Sequence, residues 1–436
     1  MNRDSARRWY ILVLLTLVYV SNIADRYVIS TLIEPIKAEL RLSDSAIGFL
    51  TGTALALFYT GFGLILGAMA DRTPRRVRML ALCTAIWSVM TAACGLAGSF
   101  GQLLLARIGV GIGEAGGTPA SQSLMADLFP RPQRVLASAI FAIGAAAGSM
   151  MGSSVGGRLS DLYGWRSAFF CLSVPGIVVA AVVALTVREP ARVGADATLR
   201  VVPSMGEALR FIRRRRALFH AVVGSTVCTF WTWGLLWWTP AFLARSYHLS
   251  VGEAGSLLGY VNGIGGTIAV IVGGSLLHRV GRRDPRWECW AMAAITVLGT
   301  VASLIAYSTS DQRLTTAMLW LFAPIGYLYL VPAFSWIQNL AQPRMRGIVC
   351  AVFLFGSNVA NLALAPQLIG IASDIVAAHT MLGAESLRHV LVVGALTGFW
   401  AAYHFWAAGA SMAADVQHAG DPSGRSAAAP RFIEGS

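Results

Sequence analysis

A chain of 436 residues that is 56% hydrophobic and only 13% charged is unlike a water-soluble domain, in which about a quarter of the residues carry charge. Its formal charge of +13 raises the question of nucleic acid, but the arginines sit in short connectors between apolar runs, and mainly on alternate connectors. With no HExxH and no GxxxxGK[ST], neither a zinc-hydrolase helix nor a phosphate-cradling nucleotide loop is indicated, and no enzymatic activity is expected.

In chain order, the apolar runs are residues 10–33, 46–70, 77–97, 101–126, 134–157 and 166–187. After a long polar connector come 218–244, 253–277, 287–308, 314–338, 346–372 and 388–412. Each meets or approaches the roughly 20 residues that a helix needs to cross a bilayer. The sequence therefore predicts an all-α polytopic membrane protein of about twelve helices. The first run is too long for the apolar core of a secretory signal, and no small-residue cleavage site follows it. With the amino terminus assigned to the cytoplasm, the inside segments hold 25 of the 34 Lys and Arg. Both termini are thus expected inside, in the inner membrane of a bacterium, with anionic lipid headgroups and not nucleic acid as the partner of that charge. All six cysteines fall within or at the ends of apolar runs without metal-ligand spacing, which predicts packing roles.

The long connector, residues 188–217, carries "RRRR" at Arg213–Arg216. It divides the chain into a six-helix half at 1–187 and a second at 218–412. The tail, 413–436, is rich in Ala, Gly, Pro and Ser and is expected to be disordered. The halves repeat. "GAMADRTPRRVR" (Gly67–Arg78) aligns with "GSLLHRVGRRDPR" (Gly274–Arg286), bringing Arg72 onto Arg279 and Arg75–Arg76 onto Arg282–Arg283. "LFPRPQRVLASAIFAIG" (Leu128–Gly144) aligns with "LAQPRMRGIVCAVFLFG" (Leu340–Gly356), bringing Arg134 onto Arg346. Paired six-helix halves are the mark of a carrier that alternates access to a site near the midplane.

"GAMADRTPRR" resembles the loop motif G-x-x-x-D-R-x-G-R-R of the major facilitator superfamily, with Pro74 in place of the second glycine. The resemblance implies that Asp71 and Arg72 join a charge network that stabilises the outward-facing state. Gly67, Arg76, Arg134, Arg279 and Arg346 complete this conformational gate. "NIADRYV", "LSDSAIGFL" and "RIGVGIGEAGGTPASQSLMADLF" further resemble the Spinster branch, whose members move lysophospholipids and sphingoid-base phosphates. The "DR" of the first run and "GEA..P" of the fourth are shared with the anion:cation symporter branch, which moves sugar acids and other small organic anions with protons. The leading expectation is a proton-coupled secondary transporter, monomeric and without a bound cofactor, for a lysophospholipid-like or other amphiphilic anion. The alternative is a proton symporter of a small organic anion.

The residues that carry the chemistry are the intramembrane charges, each costing about 2.5–3.5 kcal/mol or more at a helix centre. Asp25 and Arg26 lie in the first run, Arg107 and Glu114 in the fourth. Arg107 and Glu114 are seven apart, hence on one face and roughly 10 Å apart along the axis. Depth arithmetic sets Asp25 level with Arg107, and Glu114 deeper. Adjacent residues point about 100° apart, so Asp25 is expected to turn towards the fourth helix and Arg26 towards a central cavity. Asp25 and Glu114 are the candidate proton-coupling carboxylates; Arg26 and Arg107 are the candidate anion ligands. Gly109, Gly111 and Gly113 would admit another helix close by, as would Gly144, Gly148, Gly152 and Gly156 in the fifth run. The second half offers Phe230, Trp231 and Trp233 as cavity lining, with Asn358 and Asn361 as hydrogen-bonding groups. Trp237 and Trp238 are expected in the aromatic belt at the membrane surface.

Overall fold

The computed structural model describes residues 3–190, 203–282, 284–342 and 344–420; for residues 3, 4, 64, 71, 72, 131, 135 and 416–420 it describes the backbone alone. The chain is helical because lipid offers no partner for a free N–H or C=O, so each crossing must satisfy its own backbone. Among the described residues there are twelve long helical rods. They are α1 (Arg3–Thr31), α2 (44–72), α3 (Arg76–Leu96), α4 (Phe100–Leu128), α5 (131–163), α6 (Trp165–Thr186), α7 (Arg216–Tyr247), α8 (251–281), α9 (Pro285–Ser308), α10 (312–340), α11 (346–379) and α12 (386–420). Ten are long and apolar enough to cross a membrane by length and composition. The other two are α4, which carries Arg107 and Glu114, and α7.

Caps set the ends. The hydroxyls of Ser43, Ser99 and Ser250 accept backbone N–H bonds at the starts of α2, α4 and α8, and Glu253 completes a capping box with Ser250. Gly164, at φ +81°, makes the sharp turn between α5 and α6. A short helix, Ile33–Leu40, fills the α1–α2 connector.

Part of the long polar connector is helical: Met205–Arg214 forms an amphipathic linker helix with its own Ser204–Glu207 capping box. The expectation for the tail changes, because order does not stop at residue 412 and α12 runs to Gly420. Asp415, placed by sequence in the disordered tail, is buried, and its carboxylate accepts the Ala217 N–H at 2.7 Å. It thus satisfies one of the free donors in the first turn of α7. Residues 421–436 lie outside the described part.

The glycine stripe of α5 has a definite partner. A Cβ on Gly144, Gly148 or Gly152 would stand 3.1, 2.6 or 2.4 Å from the carbonyls of Thr16, Val20 and Ala24. The same four-residue step on α1 and α5 lets the backbones touch along three turns, and this seats α1 at a single rotation.

The two halves meet through α2 against α11 and α5 against α8. Each of these four helices carries a π-turn, at 49–53 in α2, 151–155 in α5 and 359–364 in α11, and α8 carries two, at 261–265 and 269–273. Contact is concentrated at the far end, opposite that where α1 begins and α12 ends. There, a Cβ on Gly255 of α8 would lie 2.3 Å from the Ser153 carbonyl of α5, and one on Gly48 of α2 2.5 Å from the Pro366 carbonyl of α11. At the linker end a Cβ on Gly61, Gly63, Gly67 or Gly347 would meet nothing within 4 Å. The halves are closed at the far end and splayed at the linker end.

Gly255→Val should therefore wedge the far end open. Overpacking of this kind costs about 1–3 kcal/mol, which shifts the closure equilibrium at least several-fold. Spin labels at Arg41→Cys and His248→Cys, on the two facing connectors, should report a longer mean distance than in the parent. An unchanged distance distribution would contradict the packing argument.

Candidate functional site

The rotation imposed on α1 by the α5 stripe points Ala24 at α5 and turns the next two residues into the amino-terminal half. Asp25 is buried, and its Oδ2 accepts the Thr91 hydroxyl of α3 at 2.9 Å. Its Oδ1 has no hydrogen-bond partner among the described residues. Arg107 is fully buried; its Nη1 donates to the Asp25 carbonyl at 3.5 Å, while Nε and Nη2 find no partner. Arg107 and Asp25 are thus neighbours, as depth arithmetic required, but they touch through the backbone and form no ion pair.

Arg26 differs from expectation. Its Nε donates to Glu114 Oε2 at 2.8 Å in an ion pair, and its guanidinium lies 4.7 Å from the Tyr59 ring centre. The Arg26 side chain is 17% exposed and the Glu114 side chain 0%, so only the arginine is reachable from solvent. Sequence separation gave the height of Glu114 but not that its carboxylate points back at α1. Gly113 explains how it arrives there: a Cβ at that position would stand 2.7 Å from the Trp87 backbone N of α3, so the glycine lets α4 press into α3. Gly111 does the same against Leu55 of α2.

On the second half, Trp233 is half-buried. It packs edge-on to Tyr327, with centres 4.8 Å apart, and 6.4 Å from the Tyr27 ring. Tyr27 and Tyr327 share a hydrogen bond between hydroxyls at 3.1 Å, joining the two halves beside Arg26. Tyr27 and Tyr59 were not anticipated; the signal available was the "DRY" stretch itself, where Tyr27 follows Arg26. Trp231 does not line the cavity. It is fully buried against Phe322, with its Nε1 donating to Ser303 at 3.4 Å. Phe230, Asn358 and Asn361 are half-buried. Trp237 and Trp238 are not belt residues: Trp237 Nε1 donates across the halves to Thr51 at 3.1 Å, and Trp238 is buried with its Nε1 on the Pro366 carbonyl. Both were assigned from their place near the helix end, which does not reveal that α7 is an inner helix.

Of the expected gate residues, the Asp71 and Arg72 side chains lie outside the described part. Arg76 is buried and pairs with Asp127 at the end of α4 and with Glu189 beyond α6 at 3.1 Å. These bonds tie the amino-terminal half to itself rather than to the other half. Arg134 donates to the Phe129 carbonyl at 3.0 Å and Arg346 to the Ala341 carbonyl at 3.2 Å. Each thus caps the helix five residues before it, so the aligned arginines play the same part in both halves. Gly67 and Arg279 lie at the splayed end, where Arg279 is exposed.

The charges that close the far end went unread. Arg245 of α7 pairs with Glu34 and with Asp44 at 2.7 Å each; Lys37 also reaches Asp44 at 2.5 Å, and the Ser373 hydroxyl donates to it at 2.6 Å. The Asp374 carboxylate accepts the backbone N–H groups of Asp44 and Ser45. On the opposite side Asp161 accepts the Gly252 N–H at 2.8 Å. Asp44 lies inside the "LSDSAIGFL" stretch and so belongs to a quoted motif, but its partner is 201 residues away.

Twelve helices around buried charges, closed at one end and splayed at the other, define a secondary transporter of the alternating-access class. The Major Facilitator Superfamily model matches residues 15–366, and the chain belongs to that superfamily. It is 33% identical over 411 residues to an MFS-type efflux pump of Mycolicibacterium smegmatis, covering 94% of each chain. It is 27% identical over 388 residues to protein spinster homolog 1 of Homo sapiens, covering 83% of this chain and 73% of that one. The crystal structure of a bacterial homolog to the human lysosomal transporter Spinster, inward-facing and unoccupied, superposes with a TM-score of 0.82 at 28% identity, over 94% of this chain and 98% of that one. Within the superfamily the chain falls in the Spinster-like branch.

Arg245→Ala strips the buried Asp44 of its main counter-charge while leaving Lys37 and Ser373. With Glu34 partly exposed, the loss to the far-closed state is about 2–3 kcal/mol. Alkylation of a cysteine placed at Ser45 should accelerate more than tenfold in this variant; an unchanged rate would show that the ion pair does not hold the closure.

Proposed function

We propose that the chain is a proton-coupled secondary carrier of a lysophospholipid-like or other amphiphilic anion, acting as a monomer in a bacterial inner membrane with both termini in the cytoplasm, and with no role for nucleic acid. In that orientation the splayed end faces the cytoplasm. The observation that carries the reading is the Arg26–Glu114 pair: a guanidinium that is partly exposed, held by a carboxylate that is not. An anionic headgroup arriving in the cavity meets Arg26 and must displace Glu114 from it. Protonation of Glu114 removes the competitor and frees the fork of donors for phosphate or carboxylate. Asp25 is the second candidate proton carrier: it is buried, and its Oδ1 has no hydrogen-bond partner among the described residues.

Around Arg26 stand Tyr59, Tyr27, Tyr327 and Trp233, which offer ring faces to the apolar part of an amphiphile. Phe230, Asn358 and Asn361 extend this wall. Arg107 is retained as a residue that holds the Asp25 backbone; its complete burial argues against direct contact with substrate in this conformation. The Spinster resemblance supports the substrate class. A second reading, outward transport of amphiphiles more broadly, is favoured by the Mycolicibacterium smegmatis relative described as an efflux pump. In either case the loop residues Gly67, Asp71, Arg72 and Arg279 close the linker end when the halves rock over.

Reconstituted in proteoliposomes, Arg26→Ala should weaken binding of an anionic lysophospholipid about 10–100-fold, the worth of a charge-assisted hydrogen bond. Robust transport of a sugar acid with no binding of lysophospholipid would overturn the substrate assignment.

Glu114→Gln leaves Arg26 without a competing charge. Binding of the same lipid should become nearly independent of pH, exchange should persist, and pH-driven accumulation should be lost. Accumulation at parental levels would sink the proton role of Glu114.

A further inference from the structure

The linker helix does more than connect the halves. It packs on the first turns of α11 and on α7, with Ala208 and Ile212 buried against the bundle. On the rim of the same face Met205 and Leu209 stay open, 49% and 41% exposed. An amphipathic helix set between the ends of two membrane-crossing helices lies along the bilayer surface, apolar side chains towards the acyl boundary.

Between this helix and the α10–α11 connector is a cavity of about 330 Å³. Arg210 and Arg214 enter it from the linker helix and Arg344 from the connector, over a floor of Phe211 and Met345. None of the three arginines makes an ion pair among the described residues. The one carboxylate at the site, Glu207, already accepts the Ser204 N–H at 2.7 Å as part of the capping box. Those bonds from Ser204, then the nearby Arg210 and Arg344, hold the Glu207 carboxyl below its usual range. The cavity therefore presents three guanidinium groups against one carboxylate that is turned to the backbone.

We propose that this cavity binds the phosphate headgroup of an anionic membrane phospholipid, the arginines gripping the phosphate while the acyl chains leave across Phe211 and Met345. The apolar floor of Phe211 and Met345 favours a lipid over a free phosphate, since a soluble ion has no use for it. A basic pocket at the cytoplasmic boundary of a helix bundle suits such a headgroup. The site lies apart from the Arg26 cavity and does not depend on the transported substrate. Its consequence is mechanical: a lipid seated here joins the linker helix to the base of α11, one of the helices at which the halves meet.

The test uses the full chain purified in neutral detergent and native mass spectrometry, titrated with phosphatidylglycerol or phosphatidylcholine. The parent should retain phosphatidylglycerol and not phosphatidylcholine. Arg210→Gln, Arg214→Gln and Arg344→Gln should each lower retention about fivefold, and together abolish it. A charge-matched set away from the cavity, Arg213→Gln with Arg282→Gln and Arg313→Gln, should keep parental retention. The single Arg344→Gln, in a connector and exposed, guards against a triple variant that misfolds. Equal loss in the control set would reduce the effect to net charge, and equal retention of phosphatidylcholine would remove headgroup recognition. Displacement of the lipid by inorganic phosphate or glycerol phosphate at matched concentration would assign the arginines to a soluble anion. Any of these three results overturns the proposal.

Discussion

The bond between Arg26 and Glu114 is the constraint around which the amino-terminal half is arranged. Two charges at mid-depth are tolerable only if paired with good geometry, and that requires α1 and α4 to present them at one height and one azimuth. The α5 stripe supplies the azimuth of α1, because Gly144, Gly148 and Gly152 accept the carbonyl ridge of Thr16, Val20 and Ala24. Gly111 and Gly113 supply that of α4 by letting it sink between α2 and α3. Small residues here are not generic membrane packing; they set the aim of a salt bridge. Asp25 and Arg107 lie behind it with polar atoms left over.

The two ends of the bundle solve opposite problems. At the far end, closure rests on ionic and backbone contacts between connectors and helix tips, centred on Asp44. At the linker end, Arg76, Arg134 and Arg346 bind within their own halves, so each half is a rigid body whose mouth is open. A carrier needs two packings of similar free energy, and a small ion-pair cluster, buried at Asp44 and Arg245 but open at its Glu34 and Lys37 edges, suits that need better than a large apolar seam. The π-turns fall on the four helices at which the halves meet, where an extra residue in the turn loosens the ladder of hydrogen bonds without ending the helix.

How far the sequence reveals this depends on the kind of quantity asked for. Helix number and the repeat are one-dimensional, and hydropathy with aligned arginines reads them well. Height along a helix is nearly as accessible, so Asp25 and Arg107 were correctly set side by side. Azimuth is less so: the same arithmetic set Arg26 at the cavity, where its guanidinium is partly exposed, but not its pairing with Glu114, which the packing of α1 on α5 delivers. The tryptophans of α7 fail for a related reason. Position in the run suggested a surface belt for Trp238, yet α7 is an inner helix and Trp238 is buried. Long-range partners such as Arg245 with Asp44 leave no local trace at all, and Asp415 shows that composition alone misjudges a residue whose carboxylate caps a helix 198 positions earlier.

On the proposed reading, the charge balance of the site links anion to proton. Asp25 and Glu114 against Arg26 and Arg107 sum to zero with all four ionised. An anion brought to Arg26 would leave this buried group one negative charge in excess, in a setting where an uncompensated charge costs several kcal/mol. The remedy available to the same residues is a proton on a carboxylate, and the carboxylate that gains most is the one the anion displaces. Proton and anion would then be held as a neutral pair. On the proposed reading, coupling follows from the count of charges around one guanidinium and from the fact that only its edge, and not the edge of Glu114, is open to the cavity.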